Sequence, residues 1–298
     1  MLFDRQKLLL GLLRSLGGSL GPLDFQKLLF LYCREVEPSP SYEFIPYKFG
    51  AFSFTSYADR RKLIERGYLE NDERTWKLTP LGKSTADSAI QASPKLAPFA
   101  LRHREMRGDA LVAETYRRYP YYATRSEIAE RVLQGDTVAL EKIEAARFPS
   151  RPAGISTLGY EGRSLESYLN RLLEGSVTLL CDVRRNPLSR KYGFSKTTLA
   201  KGCEGVGIRY QHLPELGIAS DERKGLDTQA DYDALFERYE RESLPKQTGA
   251  LARIHAWVDE GERVALTCFE RLPSQCHRHC VAEALESHFG PGFGPLHL

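Results

Sequence analysis

The sequence predicts a chain in two parts: a mainly helical, winged-helix-like first half and a compact α/β second half built on a mostly parallel sheet. Three observations carry this expectation. Apolar residues of the first half recur at helical spacing and run into a short hairpin pattern. The second half alternates buried-strand runs with helical segments. The 298 residues, 42% apolar and 27% charged, suffice for two hydrophobic cores. The expected division is a winged helix-turn-helix-like domain over 1–95, a basic helical connector over 96–150 and an α/β domain over 151–298.

Leu8, Leu9, Leu12, Leu13 and Leu16 lie on one helical face, and Gly21-Pro22 stops the chain and restarts it as a second helix to about Glu35. The aromatic run from Phe44 to Phe52 is too broken by Pro46 and Gly50 to be helical. It leads into a third helix from Thr55 to Arg66, which Gly67 ends. Two short strands, Tyr68 to Glu70 and Thr75 to Leu78, follow around a polar turn. Three helices and a hairpin are the layout of a winged helix, whose recognition helix would here carry Arg60, Arg61, Lys62 and Arg66 toward double-stranded DNA. A solvated helix face or a protein-interaction module are the alternatives. Beyond a Ser- and Pro-containing break at 92–98, helices are expected over 101–118, 126–133 and 137–146, before the linker Phe148 to Pro152.

In the second half, strands are expected at 155–158, 177–183, 208–213 and 264–269, with helices at 164–173, 232–242, 249–259 and from about Gln275. The run Val177 to Val183 has the continuous apolar character of a strand buried on both faces.

Charge and cysteine content bound the function. Residues 1–150 hold 23 basic against 19 acidic side chains, net +4, and residues 151–298 hold 19 against 20, net −1. The excess leans toward a nucleic-acid partner for the first half without proving one. No apolar run approaches the roughly 18–20 residues of a membrane span, so no membrane partner is expected. Leu8 to Leu13 imitates a signal peptide, but Arg14 interrupts it and the pattern continues as a helix; a cytoplasmic protein is expected. Six cysteines in a chain of this length point to free thiols and not to a disulfide framework.

Every expected strand of the second half ends in reactive groups: Gly159-Tyr160-Glu161, Asp182-Val183-Arg184, Leu213-Pro214-Glu215-Leu216-Gly217, and Cys268-Phe269-Glu270 followed by Cys276-His277-Arg278. A parallel sheet collects such ends on one edge, where ligands bind. Glu161 suits a general base or a ribose-hydroxyl acceptor, against the alternative of an N-cap contact to the next helix. Asp182 and Arg184 alternate on one strand face and form either a structural ion pair or part of the site. Arg184, Arg185, Arg190 and Lys191 make an anion-binding loop, and Arg278 at a helix start a phosphate binder. Cys268 is either a nucleophile with a lowered pKa or a small core residue. Cys276, His277, His279 and Cys280 fall within five residues, and one helical turn cannot wrap four ligands around a metal, so neither metal nor cofactor is expected.

These five strand-end elements, in this order, resemble the family catalogued as domain of unknown function 488 over residues about 154–287. The resemblance implies a Rossmann-like fold and no particular reaction. The N-terminal half resembles winged-helix modules, and its Gln26-Lys27-Leu28-Leu29-Phe30 and Tyr47-Lys48-Phe49-Gly50 are similar to segments of toxin–antitoxin-associated regulators.

The functional expectation is a DNA-binding protein whose α/β domain processes a nucleotide or base, hydrolase- or glycosidase-like. Glu161, Asp182, Cys268 and Glu270 are the catalytic candidates. Tyr160, as a stacking platform, and Arg184, Arg190, Cys276, His277 and Arg278 would hold the nucleotide-like ligand. The alternatives are a non-enzymatic, nucleotide-sensing DNA-binding regulator and a rhodanese-like sulfur transferase. The latter shares the Asp-Val-Arg strand end, but the Glu270 and Pro273 that follow Cys268 disfavour an anionic persulfide loop.

Overall fold

The computed structural model describes residues 1–219, 221–290 and 293–298. The chain forms two compact units, Met1–Arg147 and Phe148–Leu298. No helix among the described residues is long and apolar enough to cross a membrane.

The first unit opens with α1 (Asp4–Ser15), β1 (Ser19–Leu20), α2 (Pro22–Glu35) and a hairpin of β2 (Ile45–Tyr47) and β3 (Gly50–Phe52). The aromatic run is thus extended, as its Pro and Gly require. Next come α3 (Phe54–Glu65), capped by the Ser53 side chain, and β4 (Trp76–Lys77). Of the expected 68–78 hairpin, Leu69 bridges Leu78, while β4 also pairs antiparallel with β1, Leu20 facing Trp76. The helix α4 (Pro80–Ala92), which the sequence reading passed over, begins with the Thr79 side chain accepting from the Gly82 amide. The residues expected as a connector form α5 (Leu96–Arg102), α6 (Gly108–Arg118), α7 (Ala129–Val132) and α8 (Thr137–Ala145). They are part of the unit rather than a separate linker: Leu96, Phe99 and Leu111 enter the same core as Leu9, Phe30 and Trp76.

The second unit is a five-stranded, all-parallel sheet with helices between its strands. It comprises β5 (Gly154–Gly159), α9 (Leu165–Glu174), β6 (Leu179–Asp182), α10 (Lys196–Gly205), β7 (Arg209–His212), α11 (Gln229–Arg238), α12 (Thr248–Asp259), β8 (Arg263–Cys268), α13 (Arg278–Phe289) and β9 (Leu296–His297). The spatial order is β7-β6-β8-β5-β9, one strand more than the four expected. A Rossmann-like α/β arrangement follows from this parallel sheet. Helix α9 shows why the layers hold: Leu165, Tyr168, Leu169, Leu172 and Leu173 recur at helical spacing and all are buried.

The order matters more than the count. Strand β8 lies between β5 and β6, with Cys268 paired to Gly159 and Thr267 to Asp182. Three of the reactive strand ends are therefore immediate neighbours. Two glycines permit the close packing of the loops above them. A Cβ on Gly159 would stand 1.8 Å from the Glu270 carbonyl oxygen, and one on Gly217 would stand 2.0 Å from the Arg185 amide nitrogen. Neither contact tolerates a side chain.

Candidate active site

At the C-terminal edge of the sheet, Tyr160, Arg184, Arg185, Asn186, Leu188, Ile218, Arg223, Cys268, Phe269 and Glu270 line a pocket of about 350 Å³. Cys268 sits at its floor, the last residue of β8, with no exposed surface. Its Sγ lies 3.5 Å from Glu270 Oε2 and 3.8 Å from His277 Nδ1. The His277 Nε2 lies 3.0 Å from the Val183 carbonyl oxygen. A carbonyl only accepts, so Nε2 carries the proton of the neutral ring and Nδ1 faces the thiol as an acceptor. The thiol, the imidazole and the carbonyl that orients it thus stand in a row.

Electrostatics agree with the geometry. A hydrogen bond from the Cys276 thiol lowers Cys268 to about 7, against the opposing effect of burial; Arg223, the Phe269 amide and Arg278 add to the lowering. Cys276 itself is pushed up, by burial first and then by Cys268. Of the two, Cys268 is the thiol that ionises more readily.

Other expected site residues are consumed by the scaffold. Asp182 is fully buried and accepts three bonds from Arg184, 3.1 Å from the backbone amide, 2.8 Å from Nε and 2.5 Å from Nη2, plus one of 2.6 Å from the Tyr210 hydroxyl. Arg184 spends its remaining Nη1 on the Tyr160 hydroxyl and the Phe194 carbonyl, at 2.9 and 2.8 Å. This is a structural ion pair: no lone pair of Asp182 faces the pocket lining as a base would. Tyr160 is buried, and its ring stacks on Phe194 with centroids 4.3 Å apart, so it is not an open platform for a base. Arg278 is buried as well and donates to the carbonyls of Glu270 and Arg271 at 2.6 and 3.0 Å, shaping the loop after Cys268. Glu161 is exposed, lies outside the pocket lining, and accepts the Arg271 amide at 2.9 Å. Arg190 is exposed and also outside the lining. The structure therefore unites Cys268, Glu270, Cys276 and His277, with Arg184 and Tyr160 as walls; Arg278 acts on Cys268 through its charge, and Glu161, Asp182 and Arg190 stand outside the pocket lining.

Two pocket residues escaped the sequence reading. Arg223 forms an ion pair with Glu270 from an irregular stretch that carries no periodic signal. Phe269, adjacent to the cysteine, is an exposed aromatic on the pocket wall, 42% accessible. Its place immediately after a buried strand end was the available clue.

In the first unit, Arg60 is not free for phosphate. Its guanidinium bonds the carbonyls of Asp72 and Thr75 and lies 5.5 Å from the Trp76 ring centroid, tying α3 to the following hairpin. Arg66 donates to the Met1 carbonyl at 3.0 Å, whereas Arg61 and Lys62 are exposed.

Cys268, Cys276 and His277 bring their donor atoms within 4.8 Å of one another, as do Glu240, His279 and Cys280. All six cysteines are free thiols.

Residues 164–285, within the second unit, match the family model described as domain of unknown function DUF488. Neither a curated protein nor a solved structure matches the chain.

Proposed function

We propose that the second unit is a thiol-dependent enzyme that processes an anionic, nucleotide-like substrate, with Cys268 as nucleophile. One observation carries this reading: a cysteine lowered to about 7 stands at the floor of a pocket lined by arginines, with a tautomer-fixed His277 beside it. Four groups, the Cys276 thiol, the His277 ring and the charges of Arg223 and Arg278, act on one sulfur, more than a core cysteine needs. In this scheme His277 Nδ1 takes the thiol proton, and the sulfur donates its electron pair to the electrophilic centre of the substrate. The leaving group departs with the electrons of the broken bond and receives that proton. Water then cleaves the sulfur–substrate bond and restores the thiol, which makes the net reaction a hydrolysis.

The substrate class rests on the pocket wall. Arg185 and Arg223 match phosphate oxygens, and the exposed Phe269 ring offers a face on which a base can stack. Glu161, exposed and bonded to the loop amide of Arg271, has the position of a loop anchor and not of a general base. Alkylation of Cys268 in the full chain, followed by peptide mass mapping, tests this reading. Inorganic phosphate should protect Cys268, and a nucleoside monophosphate should protect at least about fivefold better, since stacking contributes about 1–3 kcal/mol. Alkylation indifferent to both anions would overturn the proposal.

A second reading concerns the first unit. The exposed pair Arg61 and Lys62 on α3, in an order of helices and hairpin shared with winged helices, supports binding of double-stranded DNA. The affinity of the full chain for a duplex should fall with salt, by a log–log slope of about 0.9 per neutralised phosphate. A salt-independent or absent affinity would leave the nucleic-acid reading without support.

A further inference from the structure

We infer that Glu240, His279 and Cys280 form a binding site for a zinc-like divalent cation, distinct from the Cys268 pocket. The sequence argument against a metal considered only ligands within one helical turn. The fold adds a donor from elsewhere: Glu240 sits in a π-helical turn, Tyr239–Ser243, that continues α11. Such turns re-aim side chains that a regular helix would place differently. It brings the Glu240 carboxylate within 4.8 Å of the His279 and Cys280 donor atoms.

Two geometric facts go beyond proximity. The His279 Nδ1 lies 2.7 Å from the Cys276 carbonyl oxygen and so must be the protonated nitrogen, leaving Nε2 as a lone-pair donor. A backbone carbonyl holding the far nitrogen is how proteins orient metal-binding histidines. That Nε2 is 3.5 Å from Cys280 Sγ. Tetrahedral zinc bonds of about 2.3 Å to sulfur and 2.0–2.1 Å to nitrogen set the two donors about 3.5 Å apart. The ligand spacing is that of a zinc edge.

The surroundings separate this cluster from the other. Around Cys268 the Glu270 carboxylate is itself paired with Arg223, and Arg278 adds a second positive charge, a field in which cations outnumber anions. Around Cys280 the charged neighbours are the carboxylates Glu240 and Glu283, which favour a cation. Beside Cys280, a pocket of about 300 Å³ lined also by Glu240 and Glu283 leaves a fourth coordination position to Glu283 or water. Binding exchanges the Cys280 thiol proton, released to solvent, for the metal–sulfur bond. Thiolate, imidazole and carboxylate together select zinc-like ions over magnesium or calcium.

The test is titration of the full chain with Co²⁺ as a spectroscopic substitute, followed by competition with Zn²⁺. Thiolate-to-cobalt charge-transfer absorption should appear and be lost in Cys280→Ser, yet persist in Cys276→Ser. Glu240→Gln, a change at an exposed side chain that leaves folding intact, should weaken Zn²⁺ at least about tenfold, since even outer-shell changes at such sites cost 10–100-fold. Absence of the band, its survival in Cys280→Ser, its loss in Cys276→Ser, or unchanged Zn²⁺ affinity in Glu240→Gln would each overturn the proposal.

Discussion

Replacing Cys276 by alanine removes the hydrogen bond that does most to hold the Cys268 thiol at about 7. A hydrogen bond to a charged group is worth about 1.5–3 kcal/mol, and about 1.4 kcal/mol corresponds to one pKa unit. The Cys268 thiol should therefore rise by about one to two units in Cys276→Ala. At pH 7 its thiolate fraction would fall from about one half to roughly 1–10%, so the rate of alkylation should drop about 5- to 50-fold. The sign is set by the direction of the shift: a lowered thiol is reactive above about pH 7, and loss of the donor moves the rise to higher pH. The assay is the pH dependence of Cys268 alkylation, read by mass mapping from pH 5.5 to 9.5 in both proteins. Superimposable profiles would refute the assignment of the lowering to Cys276.

Further outcomes follow from the positions of individual residues in the two units. Asp182→Asn breaks a buried ion pair and should destabilise the second unit by about 3–5 kcal/mol in chemical denaturation. Glu161→Gln should cost under about 1 kcal/mol and leave Cys268 alkylation unchanged, which would not hold if Glu161 were the base. Gly159→Ala places a Cβ against the Glu270 carbonyl oxygen, so its thermal midpoint should fall and Cys268 protection by phosphate should weaken; a wild-type profile would contradict the required close approach. In the first unit, Arg61→Ala with Lys62→Ala should reduce the salt slope of duplex binding by about 2, whereas Arg60→Ala should instead lower stability, measured by denaturant melting.

The alternation of strands and helices was legible because each β5, β6 and β8 run is apolar and ends in polar residues, and a parallel sheet must bring such ends to one edge. From the sequence, that rule gathers Glu161, Asp182, Cys268 and Arg278, whereas Cys268, Glu270, Cys276 and His277 meet because they lie on one strand end and the loop that leads into α13. What the sequence could not show is which strand lies beside which. With β8 between β5 and β6, Asp182 is paired with Arg184 and Tyr210 and turned inward, and Tyr160 is sandwiched against Phe194. Spacing along the chain did suggest the Asp182–Arg184 pair, two residues apart on one strand face, but it carries no trace of Tyr210 or Phe194 as partners. Arg60 illustrates the same limit: its charge marked it for phosphate, but the carbonyls of Asp72 and Thr75 had the nearer claim. Helix α4 is different, since Thr79-Pro80 is a recognisable helix start that small residues such as Gly82, Ala86 and Ala89 made easy to overlook. Strand β9, two residues long, has too little pattern to be seen.

Central to the account is that one thiol among six differs in kind. Burial pushes Cys33, Cys181, Cys203, Cys276 and Cys280 up, while Cys268 is lowered to about 7. The direct measurement is competitive alkylation of the native full chain at pH 7 with a small neutral reagent, the order of modification being read peptide by peptide. The account requires Cys268 to react first, by at least about tenfold over every other cysteine. Prior modification of Cys276 or Cys280, or an unreactive Cys268 in a folded protein, would contradict it.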